Sequence, residues 1–293
     1  MVKVLVTGAK GQVGNELQQL SGSFPEWEFI FTDRRHLDIT DKSSVLALFD
    51  QHRFSYCLNC AAYTAVDKAE SEPDSASLLN VTAVEYLAAA CALHGTFFVQ
   101  LSTDYVYHNA LNTPLKEDDP VRPQSVYART KYGGDLAALS LNPATMVIRT
   151  SWVYSSFGHN FVKTMLRLGK EKPGLGVVFD QIGTPTYARD LASAMLRTIS
   201  MLEQGAITGE AVTGVFHYSN EGVTSWYDFA IAIFEIRDIA CTVTPIETKE
   251  YPTPAARPPF SLMNKAKIKS VLKTEIPHWK ESLKACLDLI DDK

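Results

Sequence analysis

Tyr127-Ala128-Arg129-Thr130-Lys131 sets a phenol and an ammonium four residues apart. On a helix, positions i and i+4 share a face, so the ammonium can stabilise the phenolate and lower a phenol pKa that is ordinarily about 10. A phenol tuned in this way shuttles a proton near neutral pH. Upstream, an apolar run ends in Ser102-Thr103-Asp104-Tyr105-Val106-Tyr107. Ligands sit at the carboxyl ends of strands in open parallel sheets, so the Thr103 hydroxyl stands where a carbonyl oxygen could be held for reduction. A lone Tyr-x-x-x-Lys is also a common surface pair, and what distinguishes this one is the company it keeps.

That company begins at Gly8-Ala9-Lys10-Gly11-Gln12-Val13-Gly14, directly after the first apolar run. Glycines at this spacing allow a tight turn and close backbone approach to a pyrophosphate, and they bring the following helix near the sheet with its positive end at the phosphate. The spacing is G-x-x-G-x-x-G rather than the G-x-G-x-x-G of the usual dinucleotide fingerprint, and its alternative reading is a structural turn. Asp33 follows the second apolar run, where a carboxylate can accept from an adenosine ribose, while Arg34 and Arg35 could instead pair with a 2′-phosphate. NADH and NADPH therefore both remain open. Asp38, in Leu37-Asp38-Ile39, suits either the adenine amino group or a helix start.

The elements that must position these groups follow from hydrophobic patterning. Segments 2–7, 27–32, 56–60, 96–101 and 145–150 read as strands, with helical stretches at 12–20, 41–52, 74–94 and 127–141. Alternation of this kind predicts an α/β fold, a doubly wound parallel Rossmann sheet buried on both faces. Past residue 155 the pattern loosens into helices near 159–170, 187–203, 225–236 and 278–290, with Lys172-Pro173-Gly174-Leu175-Gly176 and Tyr251-Pro252-Thr253-Pro254 reading as breaks. The expected organisation is a dinucleotide-binding domain over 1–154 and a smaller, mainly substrate-binding lobe over 155–293, with a strand near 214–219 returning to the main sheet.

Composition bounds the rest. The 293 residues carry 46% apolar and 21% charged side chains, which excludes a disordered or fibrous chain. A net charge of −5, with no basic run longer than Arg34-Arg35, argues against a nucleic-acid partner. The longest uninterrupted apolar run, 86–93, is too short for a bilayer, and the N-terminus lacks a signal layout, so the expected location is the cytoplasm, away from membranes. Five scattered cysteines make no disulfide framework. Cys57 and Cys60 form a C-x-x-C pair without a second ligand pair, and all five read as small buried hydrophobes.

Taken together, these motifs resemble the extended short-chain dehydrogenase/reductases, and within them the dTDP-4-dehydrorhamnose reductases, over residues 4–279. The resemblance also rests on Asn59-Cys60-Ala61-Ala62-Tyr63-Thr64-Ala65-Val66-Asp67-Lys68-Ala69-Glu70, Arg149-Thr150-Ser151-Trp152-Val153-Tyr154 and Tyr251-Pro252-Thr253-Pro254-Ala255-Ala256-Arg257-Pro258, of which the stretches 64–70 and 149–154 are the most restrictive. The resemblance implies reduction of the 4-keto group of dTDP-4-dehydro-L-rhamnose to dTDP-L-rhamnose by NADPH or NADH. It implies that Tyr127 gives the proton to O4, that Lys131 holds the nicotinamide ribose and depresses the tyrosine pKa, and that Thr103 bonds the keto oxygen beside Asp104. It further implies Gly11, Gln12 and Val13 at the pyrophosphate, Asp33, Asp38 and Ile39 at the adenosine, Ala62, Tyr63 and Thr64 along the rest of the cofactor, and Trp152 in the sugar pocket.

From the residues alone, Trp152 reads as part of an apolar strand, with core packing alone as its lesser alternative, Asp67, Lys68 and Glu70 read as a solvated charged turn, and Arg257 either reaches a diphosphate or lies on the surface. Some members of the resembled family hold magnesium between subunits. Glu16 matches one such position, but Arg189 stands where an acid would be needed, which argues against magnesium and against that surface as the contact, while a homodimer by another surface stays open. Two competing functions are a reductase or epimerase of another nucleotide sugar, and a non-catalytic cofactor-binding regulatory subunit resembling the beta subunit of methionine adenosyltransferase.

Overall fold

The structure, a computed structural model, describes residues 1–108 and 111–291. Strand β1 (Val2–Thr7) divides its side chains between two cores: Val4 and Val6 join one and Leu5 the other, all fully buried. A strand apolar on both sides needs cover on both sides. Helix α1 (Gln12–Ser21) supplies the first cover through Val13 and Leu17; after β2 (Trp27–Thr32), α2 (Lys42–His52) supplies the second through Val45 and Phe49. The wholly buried β3 (Tyr56–Asn59) leads through the short helices α3 (Val66–Ala69) and α4 (Pro73–Ser77) to α5 (Ala83–His94). A π-helical turn over Leu78–Thr82 joins α4 to α5, so the helix runs unbroken for the 22 residues Pro73–His94 and lays Ala83, Leu87 and Cys91 into the second core. Then come β4 (Phe97–Thr103), α6 (Val126–Leu141) and β5 (Thr145–Thr150).

Beyond β5 the chain alternates between the sheet and a second cluster. The pair β6 (Val153–Tyr154) and α7 (Phe161–Glu171) precedes the short strands β7 (Gly174–Val178), β8 (Ile182–Gly183) and β9 (Thr186–Tyr187). Helix α8 (Ala188–Glu203) returns to the first face of the sheet, and β10 (Gly214–His217) pairs in parallel with β5. The rest comprises β11 (Thr224–Ser225), α9 (Trp226–Ile236), β12 (Thr242–Ile246), α10 (Ala266–Leu272) and α11 (Trp279–Asp291). Tyr154, Phe229, Ile233, Trp279 and Leu283 form a core of their own in this region.

The main sheet is parallel throughout, in the order β10-β5-β4-β3-β1-β2. Strand order reverses between β1 and β3, which opens a crevice at their carboxyl ends. The Gly/Pro segment at 172–176 departs from its reading as a break. Gly174 to Val178 pairs in parallel with Thr242 to Ile246, and the side-chain-free Gly174 and Gly176 fit because Thr242 and Ile246 pack directly over them. The cysteines also divide: Cys57, Cys91 and Cys286 are buried, whereas Cys60 and Cys241 are only partly so, and Cys60 lines the crevice.

Candidate active site

A buried polar ladder ties the three central strands together beneath the crevice. The Thr7 hydroxyl donates to Asn59 Oδ1 (2.5 Å), and Asn59 Nδ2 donates to Gln100 Oε1 (2.6 Å). With these ends fixed, the chain leaves β1 at Gly8, whose φ is +65° and whose missing Cβ would stand 2.7 Å from the backbone of Cys60 and Ala61. Only glycine tolerates both conditions. Gly14 lets α1 approach this turn, since a Cβ there would stand 2.4 Å from Gly8 O. Among the described residues no side chain caps the start of α1, which leaves its first N–H groups for an anion.

This turn opens a cleft of about 850 Å³ that runs from the second strand to the head of α6. Gly8, Gly11, Gln12 and Val13 wall one stretch, and Asp33, Asp38 and Ile39 another. Ala62 and Thr64 continue the wall towards Thr103, Asp104, Tyr127, Lys131 and Trp152. Tyr63 is held elsewhere: its phenol donates to Glu72 Oε2 (2.8 Å), and its backbone N–H and C=O both engage the Asn80 side chain. Arg257 is also engaged, gripping Asp67 through both terminal nitrogens (2.9 and 2.7 Å). The cradle, the uncapped helix and the length of the cleft fit a dinucleotide. At the end of the cleft nearest β2, Asp33 meets Lys10 and His36, and these partners, Lys10 foremost, hold its carboxyl far below the usual range.

At the other end, Thr103 closes β4 and receives the Tyr105 N–H (3.2 Å), so its hydroxyl is fixed beside Asp104 Oδ1 (3.2 Å) and within hydrogen-bonding reach of the Tyr127 phenol. Burial pushes the Asp104 carboxyl up to about 7. Burial likewise pushes the phenol up to about 12, with the Thr103 hydrogen bond pulling back and the Asp104 and Asp135 charges adding to the rise. The expected lowering by Lys131 is not found. Its Nζ donates to the Leu101 carbonyl (2.6 Å), and burial presses its own pKa down to about 8. Low polarity outweighs the ammonium four residues away, and the result is a phenol that keeps its proton until something basic develops beside it.

Trp152 departs from the strand reading. It sits between β5 and β6 with φ +47°, a strained setting for a bulky residue, and its indole stacks on Trp226 at 3.7 Å. Gly183 leaves room for this ring, because a Cβ there would stand 3.0 Å from it. Glu16, fully buried, receives the Ser155 hydroxyl (2.6 Å) and faces Arg189 at 3.5 Å.

The charged turn at 67–70 is likewise not a solvated loop. Asp67 clamps Arg257, and Glu70 Oε1 accepts the Val126 N–H (2.7 Å) one residue before Tyr127, while only Lys68 keeps a surface pairing, with Glu72. Asn80, in the π-helical turn, reaches Thr130 Oγ1 (3.1 Å) and steadies the same helix from the side. Sequence reasoning passed over Asn80, and its local signal was only an asparagine inside an apolar helix. Replacing Glu70 by alanine should lower kcat by about tenfold or more, because the first turn carrying Tyr127 loses a charge-assisted cap. Glu70→Gln keeps an acceptor and should recover most of the loss; steady-state kinetics on the three proteins checks this.

Comparisons with known proteins were consistent over the whole length. The family profile described as the RmlD substrate binding domain matches residues 2–291. The dTDP-4-dehydrorhamnose reductase of Aggregatibacter actinomycetemcomitans is 40% identical over 291 residues, covering 97% of this chain and 98% of that protein. Among solved structures, a dTDP-4-dehydrorhamnose reductase from Clostridium acetobutylicum superposes with a TM-score of 0.92 at 41% identity, covering 99% of this chain and all of the other. The Bacillus anthracis enzyme, solved in complex with NADP, also gives 0.92 at 36% identity with the same coverage.

Proposed function

The chain belongs to the family of the RmlD substrate binding domain, and on that premise we propose that it is an oxidoreductase converting dTDP-4-dehydro-L-rhamnose to dTDP-L-rhamnose. The observation that carries this reading is the meeting of a phenol, a strand-end hydroxyl and a buried ammonium in the cleft that begins at the glycine turn. NADPH or NADH, when bound, supplies the hydride that C4 of the sugar receives. The cradle at Gly8 to Gly14 takes the pyrophosphate at the head of α1, Asp33, Asp38 and Ile39 take the adenosine, and Ala62, Thr64 and Lys131 take the remainder.

Thr103 donates to the keto oxygen and orients it towards Tyr127. As C4 becomes tetrahedral, O4 gains basicity and the Tyr127 phenol hands over its proton, so the oxygen stays on C4 as a neutral hydroxyl. Lys131 offsets the phenolate that remains. Asp104, near half-protonated at neutral pH, can donate or accept towards the sugar hydroxyls. Trp152, backed by Trp226, gives the sugar a flat apolar wall. Arg257 meets the diphosphate only by exchanging Asp67 for it. In this reading residues 1–154 with β10 hold the cofactor, and most of the remaining chain covers the sugar nucleotide.

The test is to mix the purified protein with dTDP-4-dehydro-L-rhamnose and follow NADPH and NADH oxidation in separate runs. Loss of reduced cofactor with formation of dTDP-L-rhamnose is expected. Oxidation of neither cofactor overturns the reading.

A further inference from the structure

Lys131 is not the last ionisable group on its stripe of α6. Tyr127, Lys131 and Asp135 succeed one another at intervals of four, so the phenol, the ammonium and a carboxylate share one face. Asp135 is fully buried. Adjacent residues of β4 hold the two charged groups: the Leu101 carbonyl takes Lys131 Nζ at 2.6 Å, and the Ser102 hydroxyl donates to Asp135 Oδ2 at 2.8 Å. From β5, Arg149 Nε donates to the same oxygen at 3.2 Å, and Arg149 Nη1 is spent on the Tyr107 hydroxyl (2.6 Å). Among the described residues, Asp135 Oδ1 has no hydrogen-bond partner.

We propose that Asp135 is a positioning residue that keeps Lys131 an ammonium at the cleft wall, its carboxylate standing as the one anion between two buried cations. A buried ammonium whose Nζ has a single neutral acceptor in reach would shed its proton unless a nearby anion compensated it. The ionisable groups that face Lys131 are Tyr127 and Asp135 on its own helix and Cys60 beyond β3; Arg149 on β5 acts through Asp135, and Asp104 beyond β4 acts on Tyr127. Of these, Asp135 is the strongest support for the charged form, and burial is what opposes it. This inference rests on the reductase reading for its catalytic consequence, not for its electrostatics.

The experiment titrates Lys131 by carbon-13 NMR in lysine-labelled protein without cofactor or substrate, the resonance being assigned with Lys131→Met. Wild-type protein should titrate at about 8. Asp135→Asn should lower that midpoint by at least about half a unit, and the alkaline limb of kcat/KM should move down with it. Asp135→Glu, which keeps the charge, should restore both. Should Asp135→Asn not fold, Asp135→Asn/Arg149→Gln leaves no orphaned charge and must still lower the midpoint, by less than the single variant's half unit because the second cation is gone as well; the half-unit threshold is that of Asp135→Asn. A smaller fall, a rise, or a moved midpoint with an unmoved limb overturns the proposal. A wild-type protein that turns over no ketosugar sinks the reductase reading while leaving the NMR midpoint to be judged by itself.

Discussion

Replacing Tyr127 by phenylalanine is expected to cut kcat by roughly 10²- to 10⁴-fold, the usual worth of a positioned general acid, while the cofactor Kd stays within about threefold. The ring survives the substitution, so its edge contact with Tyr105 (centroids 5.6 Å apart) and the start of α6 should be undisturbed. What disappears is the phenolic proton proposed to pass to O4. Because burial keeps the phenol protonated up to about 12, it should remain a donor throughout the accessible pH range. The alkaline limb of the wild-type profile should then report Lys131, near 8, rather than the tyrosine: activity falls as pH rises through the point where the ammonium loses its proton. Single-turnover kinetics beside a fluorescence titration of NADPH separates the two effects. Turnover retained in Tyr127→Phe would remove Tyr127 from the mechanism.

Gly14→Ala should do comparable damage by another route. The added methyl would stand 2.4 Å from Gly8 O and 2.7 Å from Ala9 Cα, contacts that backbone cannot yield cheaply. Helix α1 must then back away from the turn, which separates the N–H groups that would share a pyrophosphate. Overpacking of this kind costs about 1–3 kcal/mol of stability, and we expect cofactor affinity to fall by about 100-fold or more through the lost geometry. Gly11→Ala is the internal control: its Cβ would meet only Gly8 O, at 3.2 Å, so a shift of a few tenths of an ångström accommodates it. Thermal unfolding and cofactor titration of both variants provide the check. Equal behaviour would mean that close packing of α1 on the turn is not what shapes the cradle.

These two sites were legible in the amino-acid order because their geometry is local. A strand, a glycine turn and a helix following one another determine where a phosphate can sit, and spacing of four on a helix determines that Tyr127 and Lys131 share a face. Apolar runs on both sides of β1, β3 and β4 likewise required helices on both faces of a parallel sheet. What the order of residues could not express is who meets whom across the fold. Asp67 and Arg257 lie 190 positions apart, and Glu70 reaches Val126 across 56. Trp152 takes its left-handed backbone because Trp226 and Gly183, from other elements, shape the space around its ring. The direction of the tyrosine's pKa shift belongs to the same class. Helix spacing suggested a lowered phenol, but the polarity of a site depends on everything packed round it, and here enclosure outweighs a single ammonium.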